Sequence, residues 1–193
     1  MQDKNKKSER DGKAKGIVIT IALPEKVNAR VDNGIVIVNG PTGEVKKNLL
    51  DKKVNIECND NSLILKTPRA NKINKKHIKS YAAHIRNMIN GSLEAYVYKL
   101  KICSGHFPMN VSVSNGQFIV KNLLGEKVPR VLKLKDGATV KVEGDIVTVE
   151  SPSKETAGQV SADIENLTKR NGYDLRIFQD GIWITTKGGK EAA

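Results

Sequence analysis

Val31-Asp32-Asn33-Gly34-Ile35-Val36-Ile37-Val38-Asn39-Gly40-Pro41-Thr42-Gly43-Glu44 and Val113-Ser114-Asn115-Gly116-Gln117-Phe118-Ile119-Val120-Lys121-Asn122-Leu123-Leu124-Gly125-Glu126 are two versions of one pattern. Each carries Val-x-Asn-Gly, then Val, then Gly-Glu, without a gap between them. Gly34 to Gly116 and Gly43 to Gly125 are the same step of 82 residues. Asn-Gly tolerates positive φ at both central positions of a type I′ turn, and it lies here between alternating apolar residues. That predicts a tight β-hairpin in each copy. Ala29-Val31 and Ile35-Ile37 flank the first turn; Val111-Val113 and Phe118-Val120 flank the second.

The parallel extends outward. Val54-x-Ile56 matches Val140-x-Val142, and Leu63-Ile64-Leu65 matches the run Ile146 to Val149. Helical spacing then places Ile78, Tyr81, Ala82, Ile85 and Ile89 on one face, and Ala157, Val160, Ile164 and Leu167 on another. Asn90-Gly91 and Asn171-Gly172 read as the stops of these helices, with Gly free to take a left-handed conformation. The predicted fold class is therefore α+β: two tandem similar domains from an internal duplication, each an antiparallel sheet with one packed helix. The expected organisation is a basic N-terminal extension over 1–15, a first repeat over 16–95, a second over 96–187 and a polar tail over 188–193. Tyr96 to Ile102 alternates as a strand joining the halves.

The chain has 193 residues and a formal net charge of +12. Self-repulsion of that size calls for a polyanion. A membrane surface would need a basic amphipathic helix with a bulky apolar face or a lipidation signal, and the sequence has neither. Nucleic acid is the expected partner. Aromatic residues make up only 4% of the chain, which argues against binding single strands by stacking bases. The segment from Asn61 to Leu93 has no acidic residue yet holds Lys66, Arg69, Lys72, Lys75, Lys76, Lys79 and Arg86. Lys46 and Lys47 follow the first Gly-Glu, and Lys121, Lys127 and Arg130 surround the second. Scattered basic groups on a rigid scaffold suit the shape and backbone of folded RNA. The expected phosphate contacts are Lys46, Lys47, Arg69, Lys75, Lys76, Lys79, Lys127, Arg130 and Arg176.

Signals for chemistry are weak. Gly40-Pro41-Thr42-Gly43 lacks the Lys-Ser/Thr ending of a phosphate-binding loop and reads as a tight turn. His77, His84 and His106 form no ligand set with each other or with Cys58 and Cys103, so no metal or other cofactor is expected. The two cysteines read as buried thiols in a reducing compartment. Asp174 and Asp180 flank Arg176 and read as turn caps or its ion-pair partners. Trp183 reads as core of the second repeat. No catalytic constellation is expected, and no small-molecule substrate.

Ala83-His84-Ile85-Arg86-Asn87-Met88-Ile89-Asn90-Gly91, Tyr98-Lys99-Leu100 and His106-Phe107-Pro108-Met109-Asn110-Val111 together resemble the junction of the universal large-subunit ribosomal protein L-six family, L-nine in eukaryotes. Asn122 to Lys127 and Asp174 to Trp183 resemble two further motifs of that family, in its eukaryotic and archaeal form. The resemblance implies two similar α+β domains. It also implies a structural role bound to large-subunit ribosomal RNA near the factor-binding region and the sarcin–ricin loop. Neighbouring large-subunit proteins would be partners, and the location would be the cytoplasmic ribosome, with nucleolar transit if the source is eukaryotic. Three other readings remain on sequence grounds: a free-standing RNA binder or chaperone, a partner-binding module, and an enzyme whose site is not visible.

Overall fold

In a computed structural model, residues 16–59, 61–174, 176–188 and 190–191 are described. The expected extension 1–15 lies outside them, as does part of the expected tail. The first repeat runs β1 (Ile17–Ala22), β2 (Asn28–Asp32), β3 (Ile35–Gly40), β4 (Gly43–Asn48), β5 (Asn55–Asn59), β6 (Ser62–Thr67) and α1 (Lys72–Leu93). The second runs β7 (Tyr96–Cys103), β8 (Asn110–Ser114), β9 (Gln117–Lys121), β10 (Arg130–Lys133), β11 (Thr139–Glu143), β12 (Ile146–Ser151) and α2 (Lys154–Thr168). β13 (Gly181–Lys187) and β14 (Lys190–Glu191) follow. The two copies correspond strand for strand. Sheet β1-β6-β5 answers to β7-β12-β11, and sheet β2-β3-β4 to β8-β9-β10. Each repeat thus divides its strands, all antiparallel, into two small sheets rather than one.

The hairpins form as their turns dictate. Asn33 and Gly34 have φ of 48° and 80°, and Asn115 and Gly116 have 48° and 70°. Both pairs are positive, as a type I′ turn requires. The copies agree even in single hydrogen bonds: Leu49 N donates to Gly34 O and Leu134 N to Gly116 O, both at 2.9 Å. Each helix is capped by a polar side chain, Asn71 Oδ1 accepting from Asn74 N and Ser153 Oγ from Thr156 N. α1 lies across β1, β3, β4 and β6 and so closes both sheets of its repeat. Val36, Val38, Leu63 and Leu65 of the sheets and Ile78 and Ile85 of α1 are fully buried between them. Phe118, Val120, Val147, Val149, Val160 and Ile164 form the matching core under α2. Among the described residues β13 has no counterpart in the first repeat; it pairs with the free edge of β7, which becomes the centre of a five-stranded sheet.

Several sequence-based expectations fail locally, each for a physical reason. Asn90-Gly91 does not stop α1, which continues to Leu93. Gly91 is there because it lacks a side chain: a Cβ would stand 2.0 Å from the Pro152 carbonyl oxygen. α2 ends at Thr168, before Asn171-Gly172, and Gly172 takes its φ of 85° in the loop beyond. The two Gly-Glu pairs are equivalent in sequence but not in structure. Gly43 opens β4 after the two-residue turn Pro41-Thr42. Gly125 instead ends a short 3₁₀ turn, Leu123–Gly125, and β10 starts later. Val45 pairs with Val38 but Arg130 with Val120, so the step has grown from 82 to 85 residues. Cys58 is exposed although it shares a face with Ile56, because β5 is an edge strand, and Cys103 is only half-buried, because it alternates away from buried Ile102. Cys58 Sγ donates to Ala29 O. The expected polar tail contributes β14, whose backbone pairs with the end of β13.

The repeats meet where Gly91 at the end of α1 abuts Pro152, and the Gly40–Gly43 turn of the first repeat packs on that same end of α1. Thr42 Oγ1 donates to Gly91 O at 2.6 Å, and Thr42 N to Ser92 O at 3.1 Å. Gly40 has no room for a Cβ against Ser92 O, at 2.5 Å. Gly91→Ala is expected to push the repeats apart. The cost of such overpacking is about 1–3 kcal/mol, and Tm should fall by roughly 3 °C or more. Calorimetry of the variant checks this; an unchanged Tm would show that the junction is looser than its geometry implies.

Candidate nucleic-acid interface

α1 owes its amphipathic character to the apolar face already described; every charged side chain on its other face is cationic. Lys72, Lys75, Lys76, Lys79 and Arg86 are exposed there, and Arg69 is exposed just before the helix. The helix contains no acidic residue in its first turn, nor anywhere along its length. No described carboxylate pairs with any of these six cations. This arrangement runs against local stability. A cation near a helix N-terminus faces the positive end of the macrodipole, at about 0.3–1 kcal/mol each. Like charges three or four residues apart, such as Lys72/Lys76 and Lys75/Lys79, repel by roughly 0.2–0.5 kcal/mol. α2 shows the ordinary pattern, with Glu155 in its first turn and Asp163 and Glu165 further along.

The expected phosphate contacts fall into three places. Arg69, Lys75, Lys76 and Lys79 come together on the α1 face. Lys46 and Lys47 lie on β4: Lys46 is exposed and 3.3 Å from Glu44. Lys47 is largely buried between the repeats, where it pairs with Glu155 of α2 and lies 3.1 Å from His84 Nδ1. Its charge is committed to the junction. Lys127, Arg130 and Arg176 belong to the end of the second repeat where α2 terminates. Lys127 is exposed. Arg176 is exposed and forks onto Asp174, whose carboxyl the guanidinium holds below its usual range.

Arg130 is engaged on all sides. Nε and Nη2 grip the two oxygens of Glu126 at 2.8 and 2.7 Å, and Nη1 donates to the carbonyl oxygens of Leu167 and Lys169. It caps the last turn of α2, and its hydrogen bonds hold the Glu126 carboxyl down. Arg130→Ala is expected to cost about 1–3 kcal/mol in unfolding experiments through the carboxylate and carbonyls left behind. A phosphate ligand would behave differently: Tm would be unchanged.

Sequence reasoning missed how the resemblance motifs meet. Asp180 does not pair with Arg176. Its buried carboxylate accepts from Gly105 N at 2.7 Å and His106 N at 2.9 Å, and Oδ2 lies against His106 Nδ1. The His106 ring stacks on Phe178 at 4.9 Å. Trp183 is half-buried and outside the core; Ile182 beside it is the residue that faces the helix, because alternation puts neighbours on opposite faces. Among the described residues no three His, Cys, Asp or Glu are placed to hold a metal ion.

Burial alone would raise the Asp180 carboxyl, but the hydrogen bonds from His106 and Gly105 outweigh it and hold the group below its usual range. The folded state therefore binds this proton less readily than the unfolded chain. The resulting stability is complete above the unfolded value of about 3.9 and is lost as pH falls through the folded value. Asp180→Asn should be about 1–3 kcal/mol less stable near pH 7 and lose less stability than the parent from pH 5 to pH 3. Urea melts across that range give the test; parallel curves would refute it.

Fold and surface charge define a class: a twice-repeated α+β scaffold with one helix face that carries cations and no carboxylate. Residues 23–94 and 107–181, one span in each repeat, match the family model described as Ribosomal protein L6. The chain belongs to that family. It is 40% identical over 178 residues to the large ribosomal subunit protein uL6 of Nanoarchaeum equitans, covering 88% of this chain and 93% of that protein. It is also 40% identical over 167 residues to the uL6 of Methanobrevibacter smithii, covering 86% and 94%. Against the uL6 of Natronomonas pharaonis, identity is 36% over 165 residues, covering 86% and 93%.

Proposed function

We propose that this protein is a structural constituent of the large ribosomal subunit that binds large-subunit ribosomal RNA and catalyses nothing. Family membership supports the assembly, and the α1 face supports the RNA. Six exposed cations without described counter-ions suit a helix of phosphates, which they neutralise while releasing condensed ions. The site on the subunit is the factor-binding region near the sarcin–ricin loop, as the sequence resemblance implies. Neighbouring large-subunit proteins complete the surroundings, and no small molecule or membrane is needed. No helix among the described residues is long and apolar enough to cross a bilayer. The work is done on cytoplasmic ribosomes; in a nucleated cell, assembly would pass through the nucleolus.

The test combines sedimentation with charge reversal. The protein should co-migrate stoichiometrically with the large subunit through moderate salt and protect ribosomal RNA near the sarcin–ricin loop from chemical cleavage. Pooled Arg69→Glu, Lys75→Glu and Lys76→Glu should leave Tm within a few degrees of the parent. The same variant should weaken RNA affinity at least about tenfold and flatten the log–log salt slope by roughly two to three. Migration at the top of the gradient in every condition would sink the ribosomal assignment. Unchanged RNA affinity in the variant would remove α1 from the interface.

A further inference from the structure

The end of the second repeat beyond α2 carries a feature that the basic face of α1 does not use. A cavity of about 170 Å³ opens there, lined chiefly by Leu124, Lys169, Arg170, Tyr173, Phe178 and Trp183. That is the scale of cavities that hold one aromatic ring, about 150 Å³. The chain has eight aromatic residues in all, four Tyr, three Phe and one Trp. Phe118 and Tyr98 are core, yet three of the eight converge on this cavity.

Their rings are held in place. Tyr173 meets Phe178 edge-on at 5.1 Å, Phe178 stacks on His106, and Asp180 anchors His106 from below. The Arg170 guanidinium sits 4.6 Å over the Tyr173 ring and reaches Glu126 at 3.6 Å. Trp183 Nε1 donates to Gln179 O at 3.0 Å, which fixes the indole. Leu124 completes the wall from a left-handed backbone, φ 48°. Such a conformation is costly for a side chain larger than Gly and persists where the surroundings impose it, often at functional sites. Yet Tyr173 remains 41% exposed.

We infer that this cavity receives a single unstacked nucleobase of folded RNA, with Tyr173 and Trp183 offering π faces and Lys169 and Arg170 meeting the adjoining phosphate. The inference rests on the RNA-binding reading above and adds a second, chemically different contact to it. Preformed rings on a basic rim are what an extruded base needs. The low aromatic content of the chain argues against tracking a single strand, but one base requires only one such socket. A protein side chain is the competing occupant. Lys169 and Arg170 lie beside Glu165 and Glu126, so it is the surplus positive charge of the whole chain, +12, together with the converging rings, that favours a nucleotide over it.

Trp183 is the only tryptophan, so its emission reports on this cavity. The full-length protein is titrated with large-subunit ribosomal RNA transcribed from the same genome, following filter retention and Trp183 emission together. RNA should quench the emission, whereas a fully paired duplex should not. Tyr173→Ala should lower affinity about tenfold and abolish the quench, and Tyr173→Phe should keep both. Retention with unaltered emission, and with Tyr173→Ala binding as tightly as the parent, overturns the socket and leaves the RNA reading standing. No retention of any protein overturns both. Ultraviolet cross-linking in intact subunits must join Trp183 or Tyr173 to a nucleotide; an adduct to a neighbouring protein also overturns the inference.

Discussion

The contact between the last turn of α1 and the start of α2 is the constraint on which the rest depends. Gly91 meets the Pro152 carbonyl where no Cβ fits. Thr42 hydrogen-bonds the same turn, and Lys47 spans to Glu155. These contacts join three distant parts of the chain at the junction of the repeats. The exposed face of α1 and the far end of the second repeat are linked through this packed junction. A rigid spacing suits a folded partner, whose phosphates cannot rearrange to meet a flexible pair of domains.

Duplication preserved what packing demands and released what it does not. The hairpin turns, the helix caps and the buried positions recur in both copies because each holds a core together. Charge had no such duty. α1 carries no carboxylate, whereas α2 carries Glu155, Asp163 and Glu165. The turn after β3 has two residues and fits against α1, whereas the one after β9 is longer, has left-handed backbone at Asn122 and Leu124, and reaches the end of α2 through Arg130. The first copy became an electrostatic surface and the second a shaped one.

The repeated architecture was legible because Asn-Gly between alternating apolar residues has few other meanings. The helix faces were legible from periodicity. Helix ends were not: Gly serves both positions that need positive φ and positions that forbid a Cβ, and Gly91 is the second kind. Nor could sequence sort the basic residues. Lys75 and Arg130 look alike until their neighbours are known, and Arg130 proves to be a cap. The partner of Lys47 lies 108 residues away, beyond any local pattern. Trp183 was misplaced since a strand beside a core offers two faces. The aromatic cluster escaped notice for a related reason: His106 and Phe178 are far apart in the chain, and composition averages over the whole.

The two surfaces differ in how they would respond to their surroundings. Cations on α1 repel one another in the free protein, at a cost in folding that an RNA partner on this face would remove. Binding and stability are therefore coupled through the same charges. Salt screens that repulsion and also weakens the attraction to phosphate, so it acts on this face in opposite senses before and after assembly. Stacking in the second repeat is largely indifferent to salt. A protein held by both contacts would find its place through long-range charge and be oriented there by shape. That division of labour follows from placing uncompensated lysines on one copy of a duplicated unit and a socket of fixed rings on the other.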